Sequence, residues 1–213
     1  MLENIALPAV SDNTEMLADV LRSLENLYQL LNAGLFENQL SMPVIVVATK
    51  GHRKDAHGWC TVEKAWRDGE ANARYELNIG AEFLNRDLME ICETLLHEMV
   101  HLKNLESGIE DCSRNRTYHN ERFKQVAEKH GLKAEKVGIN GYANTILTNQ
   151  AEQLIQTFEF EKFNIYRELH GGAKRKTKQS SIKYTCPLCE TIIRATRKVN
   201  VRCGDCNCLF VSA

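Results

Sequence analysis

The sequence predicts an α+β fold followed by a small cysteine-rich module. Segments 12–33 and 87–105 repeat apolar residues at three- and four-residue steps, the period of a helix with one buried face. Segment 43–49 is rich in β-branched residues, and segment 71–79 alternates apolar with polar residues, as strands do. Five of the eight cysteines lie in the last 28 residues. We therefore expect one α+β domain over residues 1–170 and a separate C-terminal module.

Capping residues and glycines mark the expected ends of these elements. Asp12, with Glu15 three residues later, has the pattern of a helix N-cap, and Gly34 is expected to end that helix. Asn85 or Asp87 can cap the second long helix. The same reasoning predicts a strand over 59–63, a helical turn over 81–84, helices over 120–130 and 149–169, and turns or irregular segments over 66–71, 106–118 and 131–148.

Charge is distributed unevenly along the chain, although the formal net charge is only −1. Residues 171–213 contain nine Lys or Arg and two acidic residues, a net charge of +7, which leaves −8 on residues 1–170. A basic segment of this kind suggests a polyanionic partner such as DNA. Alternatively, the lysines of the basic linker expected over 171–182 only keep that linker solvated. The basic positions are Lys174, Arg175, Lys176, Lys178, Lys183, Arg194, Arg197, Lys198 and Arg202.

Targeting and membrane signals are not found in the sequence. No segment approaches the run of about eighteen apolar residues that a membrane-spanning helix needs. The N-terminus, Met1 to Ile5, has no basic start followed by an apolar run, so a signal peptide is not expected. We therefore expect a cytoplasmic protein with no membrane partner, in which clustered cysteines bind metal and do not form disulfides.

The most specific motif is His97-Glu98-Met99-Val100-His101, inside the helix predicted over 87–105. Two histidines four residues apart lie about 40° apart around a helix axis, one turn above each other. That spacing allows both imidazoles to bind one metal ion, with Glu98 beside them as a general base. The alternative is a half-buried helix whose two histidines are satisfied by hydrogen bonds alone. We favour the metal site because the motif matches both the pattern and the helical context.

A catalytic zinc usually has three protein ligands and one position open to water. His119 follows His101 by 18 residues, just before the next predicted helix, and we favour it as the third ligand. His130 is expected to be structural, because a cation beside a helix C-terminus suits the helix dipole. Carboxylates remain alternatives for the third position, namely Glu106, Glu110 and Glu121.

These residue types predict the chemistry of a hydrolase. Zinc lowers the pKa of bound water to about 7 and polarises a carbonyl group. Glu98 is expected to take the proton of the water and to pass it to the leaving amine. An oxyanion-stabilising donor is also needed, and Tyr118, Tyr142 and His130 are candidates by residue type. The sequence does not choose among these three.

The C-terminal cysteines form two Cys-x-x-Cys pairs, Cys186 with Cys189 and Cys203 with Cys206. Two such pairs at this spacing predict a four-cysteine zinc ribbon over residues 183–213, with a hairpin in 191–201. Four thiolates leave no open position, so this second zinc is structural. Cys208 is a fifth thiol, which is either free or a competitor for Cys206.

With these residues in place, the chain resembles the SprT-like zinc metalloprotease family. The resemblance covers about residues 15–210 and includes Gly58-Trp59-Cys60, Thr94 to His101, Tyr118 to Phe123 and the C-terminal cysteine pairs. It implies a zincin-like domain, in which the active-site helix packs on a small β-sheet, with a zinc ribbon at its end. It also implies His97, His101 and His119 as zinc ligands and Glu98 as the catalytic acid and base. Spartan-like members of that family degrade proteins crosslinked to DNA.

We therefore expect a zinc-dependent metallopeptidase that carries one catalytic and one structural Zn²⁺ and acts on DNA-associated proteins. Two alternatives stay open. One is a non-enzymatic DNA-binding or regulatory zinc protein, and the other is a zinc hydrolase of a non-peptide bond. An intact Glu98 favours an enzyme, since a purely structural metal site needs no acid or base. The expected partners are a protein substrate and DNA bound through the basic C-terminal segment, whereas the oligomeric state is left open.

Overall fold

The computed structural model describes residues 16–49, 56–69, 72–159, 162–168 and 181–212. The chain divides into two compact units, Met1–Leu169 and His170–Ala213. The part of the chain that the structure describes contains four α-helices and several small sheets, which confirms the predicted α+β class. The predicted Asp12 cap and most of the 171–182 linker lie outside the described residues.

Helices α1 to α4 and strands β1 to β9 make up the described part of the first unit, with short 3-10 turns at Ala81–Phe83 and Gly138–Asn140. The helices are α1 (Leu17–Leu35), α2 (Leu88–Glu106), α3 (Glu121–Lys129) and α4 (Asn149–Ile155). The strands are β1 (Val44–Ala48), β2 (Gly58–Cys60), β3 (Trp66–Asp68), β4 (Asn72–Arg74), β5 (Glu76–Gly80), β6 (Cys112–Ser113), β7 (Tyr118–His119), β8 (Leu132–Glu135) and β9 (Asn144–Leu147).

The main sheet has three strands in the order β1–β5–β2. Strand β5 is parallel to β1, with Ile45 opposite Leu77, and antiparallel to β2. Helix α2 packs against β2 and β5, while α1 packs against β1. Leu77 and Ile79 are fully buried, but Asn78 on the other face is only 1% exposed. The single strand predicted over 71–79 is divided into β4 and β5, and β5 is covered on both faces, whereas the sequence predicted one open face.

Helix α1 extends one residue past the glycine that was expected to end it. A Cβ atom added at Gly34 would lie 2.4 Å from Leu154 Cδ2, so the glycine allows α4 to approach α1 closely. The apolar face of α1 is buried as predicted by its periodicity. Its buried residues are Val20, Leu24, Leu27, Tyr28, Leu31 and Asn32.

Several predicted turns prove to be short hairpins. Segment 66–71 was expected to be a turn, but β3 pairs with β4 around Gly69, whose φ of +73° suits a tight turn. Segment 106–118 contains β6 and the first residue of its partner β7, and segment 131–148 contains the β8–β9 hairpin. The strand predicted over 59–63 is β2 and ends at Cys60. These pairings depend on contacts between strands, which local composition does not reveal.

The helix predicted over 149–169 ends at Ile155, so that prediction is wrong for its second half. Its apolar residues make tertiary contacts without a helix. Phe163 is buried in the core, and the Arg167 backbone N–H donates to the Ala81 carbonyl at 3.0 Å. The Arg167 guanidinium also pairs with the buried Glu82 carboxylate at 2.9 Å. These contacts hold residues 162–168 beside the 3-10 turn in a non-helical conformation.

In the second unit, strands β10 (Ile182–Thr185), β11 (Ile192–Ala195) and β12 (Val211–Ser212) form a sheet in the order β11–β10–β12. The sequence placed a hairpin inside 191–201. Instead, β11 pairs with β10, and the Cys186–Cys189 pair occupies the connection between them. Among the helices of the described residues, none combines the length and apolar composition required to cross a bilayer.

Because the Phe163 side chain is buried, we expect its removal to destabilise the fold. Phe163→Ala should lower the free energy of unfolding by about 3–5 kcal/mol, because a 1% exposed aromatic ring is replaced by a cavity. Tyr166, which is 45% exposed, gives a matched control whose replacement by Ala should cost less than about 0.5 kcal/mol. Urea denaturation measures both values, and similar losses for the two variants would contradict this packing.

Candidate metal centre

Helix α2 carries the first part of the site, and its ends are well defined. The Asp87 side chain accepts a hydrogen bond from the Glu90 backbone N–H at 2.9 Å, which makes Asp87 the N-cap. Gly108, with φ of +67°, follows the last turn. Between these ends, one helical face presents His97 and His101 together, as their four-residue spacing predicts.

The loop after α2 brings His119 to the same place. Strands β6 and β7 pair as Cys112 with His119, and Gly141 forms a parallel bridge with His119 from the other side. A Cβ atom at Gly141 would lie 2.0 Å from the His119 carbonyl oxygen, so only glycine fits there. The backbone on both sides of His119 therefore fixes the position of its ring.

The three imidazoles converge through their Nε2 atoms. His119 Nε2 lies 3.2 Å from His97 Nε2 and 3.1 Å from His101 Nε2. The Phe123 ring contacts all three imidazoles, at centroid distances of 4.7 to 4.8 Å. The histidines predicted as ligands thus form one group that could hold a metal ion.

Asp111 determines which nitrogen of His101 faces this group. His101 Nδ1 lies 2.6 Å from Asp111 Oδ2, and Asn104 Nδ2 donates to the same oxygen at 3.1 Å. Burial raises the pKa of Asp111, but the hydrogen bonds from His101 and Asn104 outweigh it and hold the pKa below its ordinary value. An ionised carboxylate only accepts, so His101 Nδ1 donates, and Nε2 is the ring nitrogen that faces the group.

A second chain of hydrogen bonds orients His97. The Thr145 hydroxyl donates to Glu93 Oε1 at 2.7 Å, and His97 Nδ1 lies 3.2 Å from the same Thr145 oxygen. Because the hydroxyl proton is directed at Glu93, the Thr145 oxygen accepts from His97 Nδ1. The Nε2 lone pair of His97 therefore also points to the centre of the group.

The charge state of these rings suits a cation. Burial, followed by repulsion from His101 and His119, holds the pKa of His97 well below its usual value. Burial, followed by repulsion from His101, lowers the pKa of His119 to about 4. Neutral imidazoles with converging lone pairs are the ligands that divalent transition metals bind. The residues present therefore fit a metal ion, although they do not identify it.

Glu98 lies one residue after the first histidine and is only 5% exposed. Gly58 on β2 leaves room for it, because a Cβ atom at position 58 would lie 3.2 Å from Glu98 Cγ. Glu98 and the three histidines line a cleft of about 950 Å³ together with residues of β2, α2 and the loop before β7. The cleft therefore reaches both the histidine group and Glu98.

Other predicted site residues lie elsewhere. His130 Nδ1 donates to the Leu35 carbonyl at 2.7 Å, and its ring stacks on Phe36 at 4.2 Å. Burial lowers the pKa of His130, so the cation that the sequence suggested beside this helix end is disfavoured. Among the described residues, the cleft lining does not include Tyr118, Tyr142 or His130, and the histidine group does not include Glu106, Glu110 or Glu121.

Sequence reasoning missed Asp111, Thr145 and Gly141, which hold the three histidines from outside. Asp111 follows His101 by ten residues in a segment that composition marks only as irregular. Thr145 and Gly141 lie on β9 and just before it, far from α2 in sequence. A search for carboxylates near a metal-binding histidine could have suggested Asp111, since such histidines usually donate their second N–H to a carboxylate.

The second unit brings the other predicted ligands together. Cys186, Cys189, Cys203 and Cys206 form one group that could hold a metal ion. The Cys189 backbone N–H and that of Leu188 lower the pKa of Cys186 to about 6, which favours the thiolate that a metal binds. Cys208 lies beside this group, with its sulfur 3.3 Å from Cys186 Sγ.

The chain was compared with protein-family models, with curated proteins and with solved structures, and none of these comparisons finds a match.

Because Gly141 lies so close to His119, we expect a side chain at position 141 to cause loss of metal from the histidine group alone. Gly141→Ala should displace His119 and leave about one zinc ion per chain, held by the cysteines, whereas the parent chain is expected to bind one ion at each of its two groups. Gly138→Ala is the matched control, because that glycine also has a positive φ but has nothing within 4 Å of its added Cβ. Elemental analysis of zinc-loaded chains measures the number of zinc ions per chain. An unchanged zinc content in Gly141→Ala would show that the close approach of Gly141 does not position His119.

We expect replacement of a ligand cysteine to cause loss of metal from the second unit alone. Cys186→Ser should remove the metal of the second unit, because it deletes one of four converging thiols, while Cys208→Ser should retain it. Zinc content combined with absorption spectra of the cobalt-substituted chain distinguishes the two sites, since thiolate ligands give intense charge-transfer bands. Loss of those bands in Cys208→Ser and their retention in Cys206→Ser would assign Cys208 as the fourth ligand instead.

Proposed function

We propose that the chain is a zinc-dependent metallopeptidase whose catalytic residue is Glu98. The observation that carries this proposal is the convergence of three imidazoles that line one cleft together with Glu98. A metal bound by three histidines keeps a position for water or substrate, which distinguishes a catalytic site from a closed structural one.

The surroundings of the site support a zincin-like, SprT-like arrangement. Helix α2 carries the His-Glu-x-x-His motif and packs against β2 and β5 of the small sheet. The third histidine comes from the segment that follows α2 and lies just before α3. These features match what the family resemblance implies, and the assignment to that family is part of the proposal.

In the proposed reaction, His97, His101 and His119 hold the zinc. When bound, zinc lowers the pKa of water and polarises the scissile carbonyl. The Glu98 carboxylate accepts a proton from the attacking water and later donates it to the leaving nitrogen. Asp111 and Thr145 keep the Nε2 lone pairs of two ligands directed at the centre, which limits the reorganisation needed during the reaction.

The second unit fits a structural role. Its four cysteines would hold zinc as a ribbon, and metal binding of this kind can contribute on the order of 10 kcal/mol to the folding of a small unit. Arg194, Arg197, Lys198 and Arg202 are all exposed on it. These cations could contact DNA phosphates, so we propose that the substrates are proteins associated with DNA. If peptide hydrolysis is not found, the same cations favour a non-enzymatic DNA-binding protein.

Glu98→Gln tests the proposed function directly. The variant should retain zinc at both sites, and kcat for a peptide substrate should fall by about 10²- to 10⁴-fold, because the proton acceptor is lost while the shape is kept. Glu110→Gln, in an exposed loop position, is the control and should cleave at the parent rate. Quantifying new peptide N-termini by mass spectrometry measures the rate, and an unchanged rate in Glu98→Gln would overturn the assignment.

A further inference from the structure

A peptidase site needs a donor for the oxygen of the scissile carbonyl, because negative charge develops there in the transition state. None of the three donors suggested by residue type is among the described residues that line the cleft. His130 is buried against Phe36, and Lys124 Nζ lies 5.1 Å from the ring centroid of Tyr142. The guanidinium of Arg114 covers the Tyr118 ring at 4.9 Å. The donor must therefore be sought among residues that do line the cleft.

Two arginines line the described part of the cleft, Arg86 and Arg116. The guanidinium of Arg86 is occupied on each of its nitrogens. Nε donates to the Phe83 carbonyl at 3.0 Å, and Nη2 donates to the Thr94 hydroxyl at 3.0 Å. The third nitrogen, Nη1, lies 3.2 Å from His57 Nδ1. Arg86 thus connects parts of the cleft wall, and three of its five N–H donors are already used in doing so.

The guanidinium of Arg116 makes fewer contacts than that of Arg86 among the described residues. Its side chain is 39% exposed, and its ion pair within the described residues is a long one, 4.0 Å from Nη2 to Asp111 Oδ1. Asp111 is already bound to His101 and Asn104 through its other oxygen. The guanidinium of Arg116 therefore retains donors that a ligand in the cleft can use.

The positive charge of Arg116 lies next to the metal ligands. Its Nη2 lies 4.0 Å from Asp111 Oδ1, and Asp111 binds His101 through its other oxygen. Arg116 also lines the same cleft as the three histidines. The charge is therefore located where an anion bound beside the histidine group would feel it.

The backbone that presents Arg116 is unusual. Arg114, Asn115 and Arg116 have φ values of 52°, 54° and 64°, three consecutive left-handed residues that are not glycine. Such conformations are disfavoured for L-residues and concentrate at functional sites. The Thr117 hydroxyl and backbone N–H both donate to the Arg114 carbonyl, which closes this turn. The turn directs Arg116 into the cleft and leaves Arg114 against Tyr118.

From these observations we propose that Arg116 is a second catalytic residue, which donates its guanidinium N–H groups to the oxyanion formed from the scissile carbonyl. This inference rests on the proposed peptidase function. Arg114→Gln is a matched control, because Arg114 lies in the same turn and carries the same charge but does not line the cleft. Arg116→Gln and Arg116→Lys separate hydrogen-bonding geometry from charge.

The test uses the full chain loaded with zinc. In Arg116→Gln, kcat should fall by about 10²- to 10³-fold with little change in KM or in zinc content. Arg116→Lys should recover part of this loss, and Arg114→Gln should behave like the parent chain. A loss below about twofold, or a loss of zinc in Arg116→Gln, would contradict a catalytic role.

A binding measurement keeps the inference testable if the parent chain cleaves no peptide. The probe is a peptide phosphonate, whose tetrahedral anion mimics the oxyanion, and calorimetry measures its affinity for each zinc-loaded variant. Weaker binding by about 100-fold in Arg116→Gln, with parent-like binding in Arg114→Gln, supports the inference whatever the activity. Equal binding by all variants, or no binding by the parent chain, overturns it.

Discussion

The hydrogen bond between His101 Nδ1 and Asp111 Oδ2, 2.6 Å long and buried, connects most parts of the site. It fixes the tautomer of His101, so that Nε2 faces the other two histidines. The Asp111 backbone carbonyl also accepts from the N–H of Asn120, the N-cap of α3, at 2.9 Å. One residue thus links the helix that carries two ligands to the segment that carries the third. A hydrogen bond to a charged group of this kind contributes about 1.5–3 kcal/mol.

Three imidazoles packed this closely would be unfavourable without their surroundings. Burial and repulsion between the rings lower the pKa values of His97 and His119, and Asp111 and Thr145 accept hydrogen bonds from the outward Nδ1 atoms of His101 and His97. The buried ring of His119 interacts with the Asn140 backbone and is also held by the backbone around Gly141 and by Phe123. A cation at the centre relieves the repulsion of the converging lone pairs, which explains why the arrangement suits a metal better than an empty pocket.

The sequence predicted the features that depend on local residue spacing, and it missed the residues that reach the site through contacts between distant segments. Helix α2 and the pair His97 and His101 follow from the helical period alone. Asp111 and Thr145 could not be identified this way, because the β6–β7 and β8–β9 pairings bring them to α2. The apolar residues after Ile155 looked helical, yet Phe163 and Arg167 are fixed by the core and by Glu82. Tertiary contacts therefore decided the conformation where local propensity was weak.

The most direct test of the account is cleavage of a DNA-binding protein by the full chain loaded with zinc, with and without single-stranded DNA. We expect new N-termini from hydrolysed peptide bonds, formed only when zinc occupies the histidine site, and more of them when DNA brings substrate and chain together. Removal of zinc by a chelator should stop cleavage, and added zinc should restore it. An intact substrate under all these conditions, with both metal sites shown to be filled, would contradict the proposal that this cleft is a peptidase site.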